Sequence, residues 1–165
     1  MSELRARQET ETGLSFQLES WPSAWPEAGQ RSSAHFSEVN AGVPGRKFQL
    51  DTEIMAMLDL DGTLRVYTAR LAGRLIGYIL WTLQLDPECK GLRFAAMGPW
   101  YVEPGHSGVG IRLFDYSAAE LKKLDLDYLL PHHRLQGRGA SLDRFFRSRG
   151  GVETQRDYQI WLKES

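Results

Sequence analysis

The sequence predicts an α/β (α+β) fold: one mixed, mostly antiparallel sheet of about six to seven strands, with helices packed on it. Three observations carry that expectation. Residues 64–85 read as a β-hairpin, with strands rich in β-branched and aromatic residues on either side of Ala72-Gly73-Arg74. Residues 92–110 run from a strand into the glycine-rich segment Pro104-Gly105-His106-Ser107-Gly108-Val109-Gly110. After it, Ile111, Leu113, Phe114, Ala118, Leu121 and Leu124 recur at helical spacing. With 165 residues, 42% hydrophobic and 25% charged, the chain holds enough apolar material for a single core without disulfides or a structural metal.

Met1 to Gly13 is charged and polar and reads as a flexible tail, with 14–165 as one domain. Leu14 to Leu18 alternates apolar and polar side chains, as a short strand does. Trp21 to Pro26 reads as a turn. Glu27 to Asn40 reads as a helix with a thin stripe of Ala28, Ala34, Phe36 and Val39, ended by Ala41-Gly42-Val43-Pro44-Gly45. Leu64 to Leu71 and Leu75 to Leu85 form the hairpin, which Asp86-Pro87 closes. Leu92 to Val102 is the next strand, with a bulge or splay expected at Gly98-Pro99 because proline donates nothing to a ladder. Leu126 to Leu130 reads as a short buried strand ending at Pro131. Leu142 to Arg149 reads as a helix with Phe145 and Phe146 inward, stopped by Gly150-Gly151. Val152 to Thr154 and Tyr158 to Leu162 read as closing strands.

The formal net charge of −1 supplies no bulk field toward nucleic acid or an anionic membrane. The single cysteine, Cys89, permits no internal disulfide, which suits a reducing compartment. Met1 to Thr12 lacks the apolar core of a signal peptide, and the longest apolar run, Leu75 to Leu85, is too short to span a bilayer. A soluble, cytoplasmic protein is the expectation. His35 and Glu38 stand at i, i+3, but no further ligands lie at useful spacing; they read as helix surface, and no metal is expected. Arg134, Arg138, Arg144, Arg147, Arg149 and Arg156 suit a phosphate-bearing ligand or nucleic acid. With Asp143 and Glu153 between them, they suit a solvated helix face equally well.

A strand, a glycine-rich turn and a helix in that order make a phosphate site. Unpaired N–H groups and the positive end of the helix dipole meet the anion, and glycine lets the backbone approach it. On these residues the chain resembles the GNAT acyltransferase superfamily, from about Leu14 to Leu162. The hairpin around Arg74-Leu75-Ile76-Gly77-Tyr78 is similar to the family's second and third strands, and Trp100-Tyr101-Val102-Glu103-Pro104 to the end of its fourth. Gly108-Val109-Gly110-Ile111-Arg112-Leu113 is similar to the tail of its pyrophosphate loop. Phe145-Phe146-Arg147-Ser148-Arg149-Gly150-Gly151-Val152-Glu153 is similar to the passage from the fourth helix into the sixth strand. His35-Phe36-Ser37-Glu38-Val39 and Tyr158-Gln159-Ile160-Trp161-Leu162 resemble the compact acetyltransferases of bacteriophages, which would place the protein in a host cytoplasm.

The resemblance implies about four helices, a sheet splayed between its fourth and fifth strands, and acetyl-CoA as co-substrate. The pyrophosphate of CoA would lie on the loop formed by Gly105, His106, Ser107, Gly108, Val109 and Gly110. The pantetheine arm would pair like an extra strand with Trp100, Tyr101 and Val102. Acetyl group and amine would meet at the splay, with the Val102 N–H polarising the thioester carbonyl. Three features depart from the family. Gly105 stands where Arg or Gln usually precedes the first loop glycine by three residues. Met97 and Gly98 stand where an acidic general base often sits, and Phe146 where many members place a Tyr acid.

Acetyl transfer needs a neutral amine, a polarised carbonyl and a proton for the departing thiolate. Tyr158, His132 and Glu103 are the candidates for moving protons, with His133 beside His132 just past the fifth strand. Each has an ordinary structural role as well: a ring in a closing strand, an exposed loop pair, a strand end. The expected function is N-acetyl transfer to a primary amine on a small molecule, a protein or a modified base. Nucleic acid is expected only in that last form, no membrane partner is expected, and a homodimer is compatible.

Two alternatives stay open. Leu58-Asp59-Leu60-Asp61-Gly62-Thr63 resembles the first motif of haloacid-dehalogenase-type phosphatases, with Asp59 as nucleophile and Asp61 as acid–base around Mg²⁺. A β-hairpin follows at once where that family has a loop and helix, and Asp61-Gly62 reads more simply as a turn. The other alternative is a domain that holds acyl-CoA without turning it over.

Overall fold

The computed structural model describes residues 13–39, 48–132 and 139–154. Among these, five strands lie side by side in chain order: β1 (Leu14–Glu19), β2 (Leu64–Leu71), β3 (Arg74–Leu85), β4 (Arg93–Val102) and β5 (Tyr128–Leu130). β1 to β4 run antiparallel to their neighbours, and β5 runs parallel to β4. Helices α1 (Trp21–Val39) and α2 (Thr52–Leu60) cover one face, and α3 (Val109–Leu121) and α4 (Gly139–Arg147) the other.

Strand alternation divides the core into two layers. Tyr67, Ala69, Ile79 and Trp81 meet Leu113, Phe114 and Leu121 of α3, whereas Val66, Tyr78 and Leu80 meet Trp21, Ala24 and Ala28 of α1. Ile76 is the extra residue of a bulge, since Ala69 pairs with Gly77 but Arg70 pairs with Leu75. It re-phases β3, so that Leu75 and Tyr78 share one face although three residues apart.

The hairpin forms as the sequence predicts. Ala72 and Gly73 take φ of 49° and 82°, so both central residues are left-handed, as in the type I′ turn that matches the twist of its strands. The bulge expected at Gly98-Pro99 is also present: Trp100 pairs with Ile79 and Met97 with Trp81, leaving two residues of β4 opposite Leu80. β5 is shorter than 126–130. Asp125 turns left-handed with φ 54°, and the Asp127 carboxylate accepts from the Arg93 N–H at 2.7 Å, so pairing begins only at Tyr128. α4 stops where Gly150 takes φ 81° and the Gly151 N–H reaches the Phe146 carbonyl at 3.0 Å.

Four expectations are corrected. Trp21 to Pro26 is not a turn but the start of α1. Pro22 lies in the first turn, where no N–H partner is required, and Trp21, Ala24 and Ala28 form the buried stripe. Ala34, expected on that stripe, is exposed. α2 was not anticipated. Asp51 caps it by accepting from the Glu53 and Ile54 N–H groups, and Met55, Ala56 and Leu58 pack beneath it. Val152 to Thr154 forms no strand, and Val152 is 80% exposed. The strand expected over Tyr158 to Leu162 lies outside the described residues, as does the tail before Gly13. No helix among the described residues is long and apolar enough to cross a membrane.

Candidate functional site

β4 and β5 pair only through Phe94–Tyr128, Ala95–Leu129 and Ala96–Leu130. Beyond Ala96, β4 continues to Val102, and among the described residues its outer edge carries no strand. The two parallel strands therefore splay apart, as the resemblance implies. The Glu103 N–H reaches back to the Ile76 carbonyl of β3 at 2.8 Å. Backbone groups alternate along a strand, so those of Tyr101 also face β3, while the N–H and C=O groups of Trp100 and Val102 face the opening. That edge suits an extended ligand bearing its own amides.

The side chains on this stretch alternate too. Trp100 and Val102 turn to the α3 face. The Trp100 ring lies 5.6, 6.0 and 6.4 Å from those of Phe114, Phe145 and Phe146. Next to this cluster a cavity of about 410 Å³ opens between α3, the end of β5 and the turn after α4, lined by Phe114, Ala118, Leu129, Pro131, Phe146 and Gly151. Arg149 stands at its rim with two hydrogen bonds to Asp115, at 2.7 and 2.8 Å, and covers the Phe145 ring. Arg147 bonds Asp143 and Glu153, so both arginines sit in ion pairs; Arg134, Arg138 and Arg156 lie outside the described residues.

The loop from Pro104 to Gly108 joins β4 to α3. Gly105 and Gly108 take φ of 92° and 78°, and a Cβ at either would meet nothing within 4 Å. Gly108 is the N-cap and supplies no side-chain acceptor, so the first-turn N–H groups of α3 have no partner within the helix. The Val109 N–H bonds the His106 carbonyl at 3.3 Å, and the left-handed glycines with the open space about them form, with the N–H groups that follow, a cradle that fits a phosphate. Gly110 brings the helix against Trp100, whose ring would lie 3.5 Å from a Cβ there.

Glu103, a sequence candidate for proton handling, is held by two arginines. Arg31 of α1 donates at 2.5 Å, Arg74 of the hairpin turn donates at 2.8 and 3.0 Å, and His106 lies 3.9 Å away. Burial pushes this carboxyl up, and the hydrogen bonds from Arg31 and Arg74 outweigh it, leaving the group below the ordinary carboxylate range. Glu103 thereby ties the loop to α1 and β3. His132 follows Pro131 at the end of β5 and is exposed. Tyr158 and His133 lie outside the described residues.

The phosphatase reading does not survive the placement of its aspartates. Asp59 is in the last turn of α2 and Asp61 caps that helix, accepting from the Thr63 N–H at 2.8 Å before Gly62 turns the chain into β2. Neither stands at the end of a strand facing a ligand cleft.

On the opposite face of β4, sequence reasoning missed a cluster. His35 of α1, read as helix surface, is half-buried, with its ring 5.1 Å from Tyr101 and 6.3 Å from Tyr78. Tyr78 and Tyr101 are register partners across β3 and β4. The Tyr78 hydroxyl lies 3.1 Å from Ser32 Oγ and 3.4 Å from His35 Nδ1. Burial raises the Tyr78 phenol against the smaller lowering effect of Ser32. Ala28, Ser32 and His35 at i, i+4, i+7 were the available signal, but their partners lie more than forty residues away in sequence.

No family model matches the sequence, and no curated protein matches it. Solved structures do match, over nearly the whole chain. A ribosomal-protein-alanine N-acetyltransferase from Brucella melitensis biovar Abortus 2308 is similar with a TM-score of 0.65 at 16% identity, covering 90% of this chain and 99% of that one. An aminoglycoside acetyltransferase from an uncultured soil metagenomic sample, in complex with sisomicin, gives 0.66 at 14% identity over 93% and 97%. A Clostridium acetobutylicum protein described as a predicted acetyltransferase, solved with acetyl-CoA, gives 0.66 at 16% identity over 90% and 96%. With the antiparallel β1–β4 order, the parallel β5, the splay beyond Ala96 and the glycine loop before α3, these likenesses show that the chain has the fold of the GNAT acetyltransferases.

Proposed function

We propose that this protein is an acetyl-CoA-dependent N-acetyltransferase acting on a primary amine. One observation carries the reading: the open edge of β4 at Trp100 and Val102 leads directly into the glycine-capped N-terminus of α3. An acyl-CoA carries two amides along its pantetheine arm and then a pyrophosphate, and this edge and cradle fit both. Trp100, Tyr101 and Val102 would hold the pantetheine arm, and Gly105, His106, Ser107, Gly108, Val109 and Gly110 the pyrophosphate. The absent Arg or Gln at Gly105 leaves phosphate binding to the helix dipole and backbone N–H groups.

Bound there, acetyl-CoA supplies an activated acyl group. The Val102 N–H faces the splay and would polarise the thioester carbonyl as negative charge develops on it. Glu103 braces the loop through Arg31 and Arg74 and stays ionised at neutral pH, which suits it to holding the site in shape rather than to moving protons. His132, at the mouth of the splay, and Tyr158 remain the proposed donors of the proton that the departing sulfur takes up.

Calorimetry and thermal unfolding with acetyl-CoA test this reading. At one hundred times its Kd the ligand adds about 2.7 kcal/mol of stability. Gly108→Glu should abolish binding, because it sets a carboxylate in the phosphate cradle. It should cost about 1–2 kcal/mol of stability, because residue 108 is left-handed. A melting temperature unmoved by millimolar acetyl-CoA would defeat the proposal.

A further inference from the structure

We propose that the outward face of α2, formed by Ile54, Met57 and Leu60, is a docking surface for a basic amphipathic helix of a partner protein. The inference does not depend on the acetyl-CoA reading. α2 packs on β2 and α1, and β3 stands between β2 and β4, so this surface is set apart from the splay.

The helix is apolar on both of its sides. Met55, Ala56 and Leu58 pack inward. At about 100° per residue, Leu60, Glu53, Met57 and Ile54 follow one another around the outward arc, and all four are exposed. The three apolar members are 90, 67 and 53% open. A helix apolar all round is ordinarily covered, and a contiguous apolar face left open marks an interaction site. The face is also preformed. Asp51 accepts from the Glu53 and Ile54 N–H groups at 3.2 and 3.0 Å, and the Asp61 N–H reaches the Met57 carbonyl at 3.0 Å.

Charge decides what covers it. Residues 51–61 hold the carboxylates of Asp51, Glu53, Asp59 and Asp61 and no base, in a chain whose net charge is only −1. Among the described residues none of the four forms an ion pair, and the Glu53 and Asp59 side chains accept no hydrogen bond. Asp59 and Asp61 stand at the helix C-terminus, where the dipole disfavours an anion and no base offsets them. A second copy meeting this face with its own would set four carboxylates against four, and an anionic lipid surface would be repelled likewise. Lys and Arg flanking an apolar row satisfy both features together. Their stems lie along apolar side chains while their cations reach carboxylates such as Glu53 and Asp61. Side chains three residues apart form ridges that a crossing helix fits between, and the flexible methionine at the centre adapts to it. Two turns of helix bury little area, so the contact is transient and weakens with salt.

The test uses the full chain with ¹³C-labelled methionine methyls. The probe is an amphipathic helical peptide of Leu and Lys, and its control carries Glu in place of every Lys. In the free protein the Met57 methyl should resonate as an exposed methionine does. The Leu/Lys peptide should shift Met57 and leave the buried Met97 in place, and the Leu/Glu peptide should shift neither. Met57→Gln should weaken the Leu/Lys peptide roughly tenfold, as should Glu53→Gln with Asp59→Asn, and the charge variant should also flatten the salt dependence. Both variants should keep the wild-type melting temperature and acetyl-CoA affinity, because the substituted side chains lie outside the core and the splay. A Met57 methyl already packed in the free protein would show that the chain itself covers the face. A dimer in sedimentation that Met57→Gln breaks would assign the face to a second copy. Either result overturns the proposal, as do equal shifts from both peptides, binding that the variants leave intact, or no shift from the Leu/Lys peptide.

Discussion

Ala72 occupies a position that an L-residue rarely takes. Its φ of 49° puts it in the left-handed region next to Gly73, and its N–H is held by the Gly13 carbonyl at 2.9 Å. An alanine pays roughly 1–2 kcal/mol there, whereas asparagine tolerates the region and Asn-Gly is the favoured pair for a type I′ turn. Ala72→Asn is expected to stabilise the protein by about 0.5–1 kcal/mol, raising the melting temperature by about 1–4 °C. A lower melting temperature would mean that the turn is not strained in this way. The turn was legible because two-residue hairpins constrain their own neighbours. His35 was not, because whether a helical histidine lies at the surface or is packed depends on Tyr78 and Tyr101, which local sequence cannot bring to it.

At the scale of elements, β3 and β4 meet with no room to spare. A Cβ on Gly77 would stand 2.9 Å from both the Tyr101 carbonyl oxygen and Val102 Cγ2. Both atoms belong to the stretch that faces the splay on its other edge. Gly77→Ala should therefore destabilise by about 1–3 kcal/mol and also weaken acetyl-CoA binding, since the strand must shift where the ligand would pair. Urea unfolding and calorimetry read the two effects separately. Lost stability with unaltered acetyl-CoA affinity would show that the β4 edge is not the binding edge. α2 teaches a different lesson: its Asp51 cap was present in the sequence, yet Asp59-Leu60-Asp61-Gly62 drew attention as a motif. Only the surrounding helix shows those aspartates to be its last turn and cap.

For the whole molecule, a partly buried ion network joins β1, β2, α1 and the hairpin. Glu19 accepts from Arg70 at 2.8 and 2.9 Å and from Thr68, and Glu27 accepts from Arg70 at 2.6 Å and from the Leu75 N–H at 3.0 Å. The Glu19 side chain is only 8% exposed. Burial pushes its carboxyl up, but the hydrogen bonds from Arg70, Thr68 and Gln17 outweigh it and bring the group down to about 2 from 4.5. A folded-state value below the unfolded one means stability that is present above pH 4.5 and lost as pH falls toward 2. The amount is about 3 kcal/mol. In chemical denaturation at falling pH, the stability gap between wild type and Glu19→Gln should shrink steadily below about pH 5. A gap independent of pH would remove Glu19 from the acid response.

The sequence by itself determined the hairpin, the bulge at Gly98-Pro99, the α3 helix and the glycine loop before it. Each follows from spacing or from a residue's own backbone limits, within a window of a few residues. The same local signals decided that a sheet with helices on it would form. Among the described residues, only the tertiary structure decided which edge of β4 stays open, because that depends on where β5 stops pairing, at Ala96 and Leu130. It alone placed Arg31 and Arg74 on Glu103, and His35 on Tyr78 and Tyr101. Those contacts span 72, 29 and 43 residues in the first three pairs. Contacts at such separations are set by how helices and strands pack, and no periodicity in the chain records them.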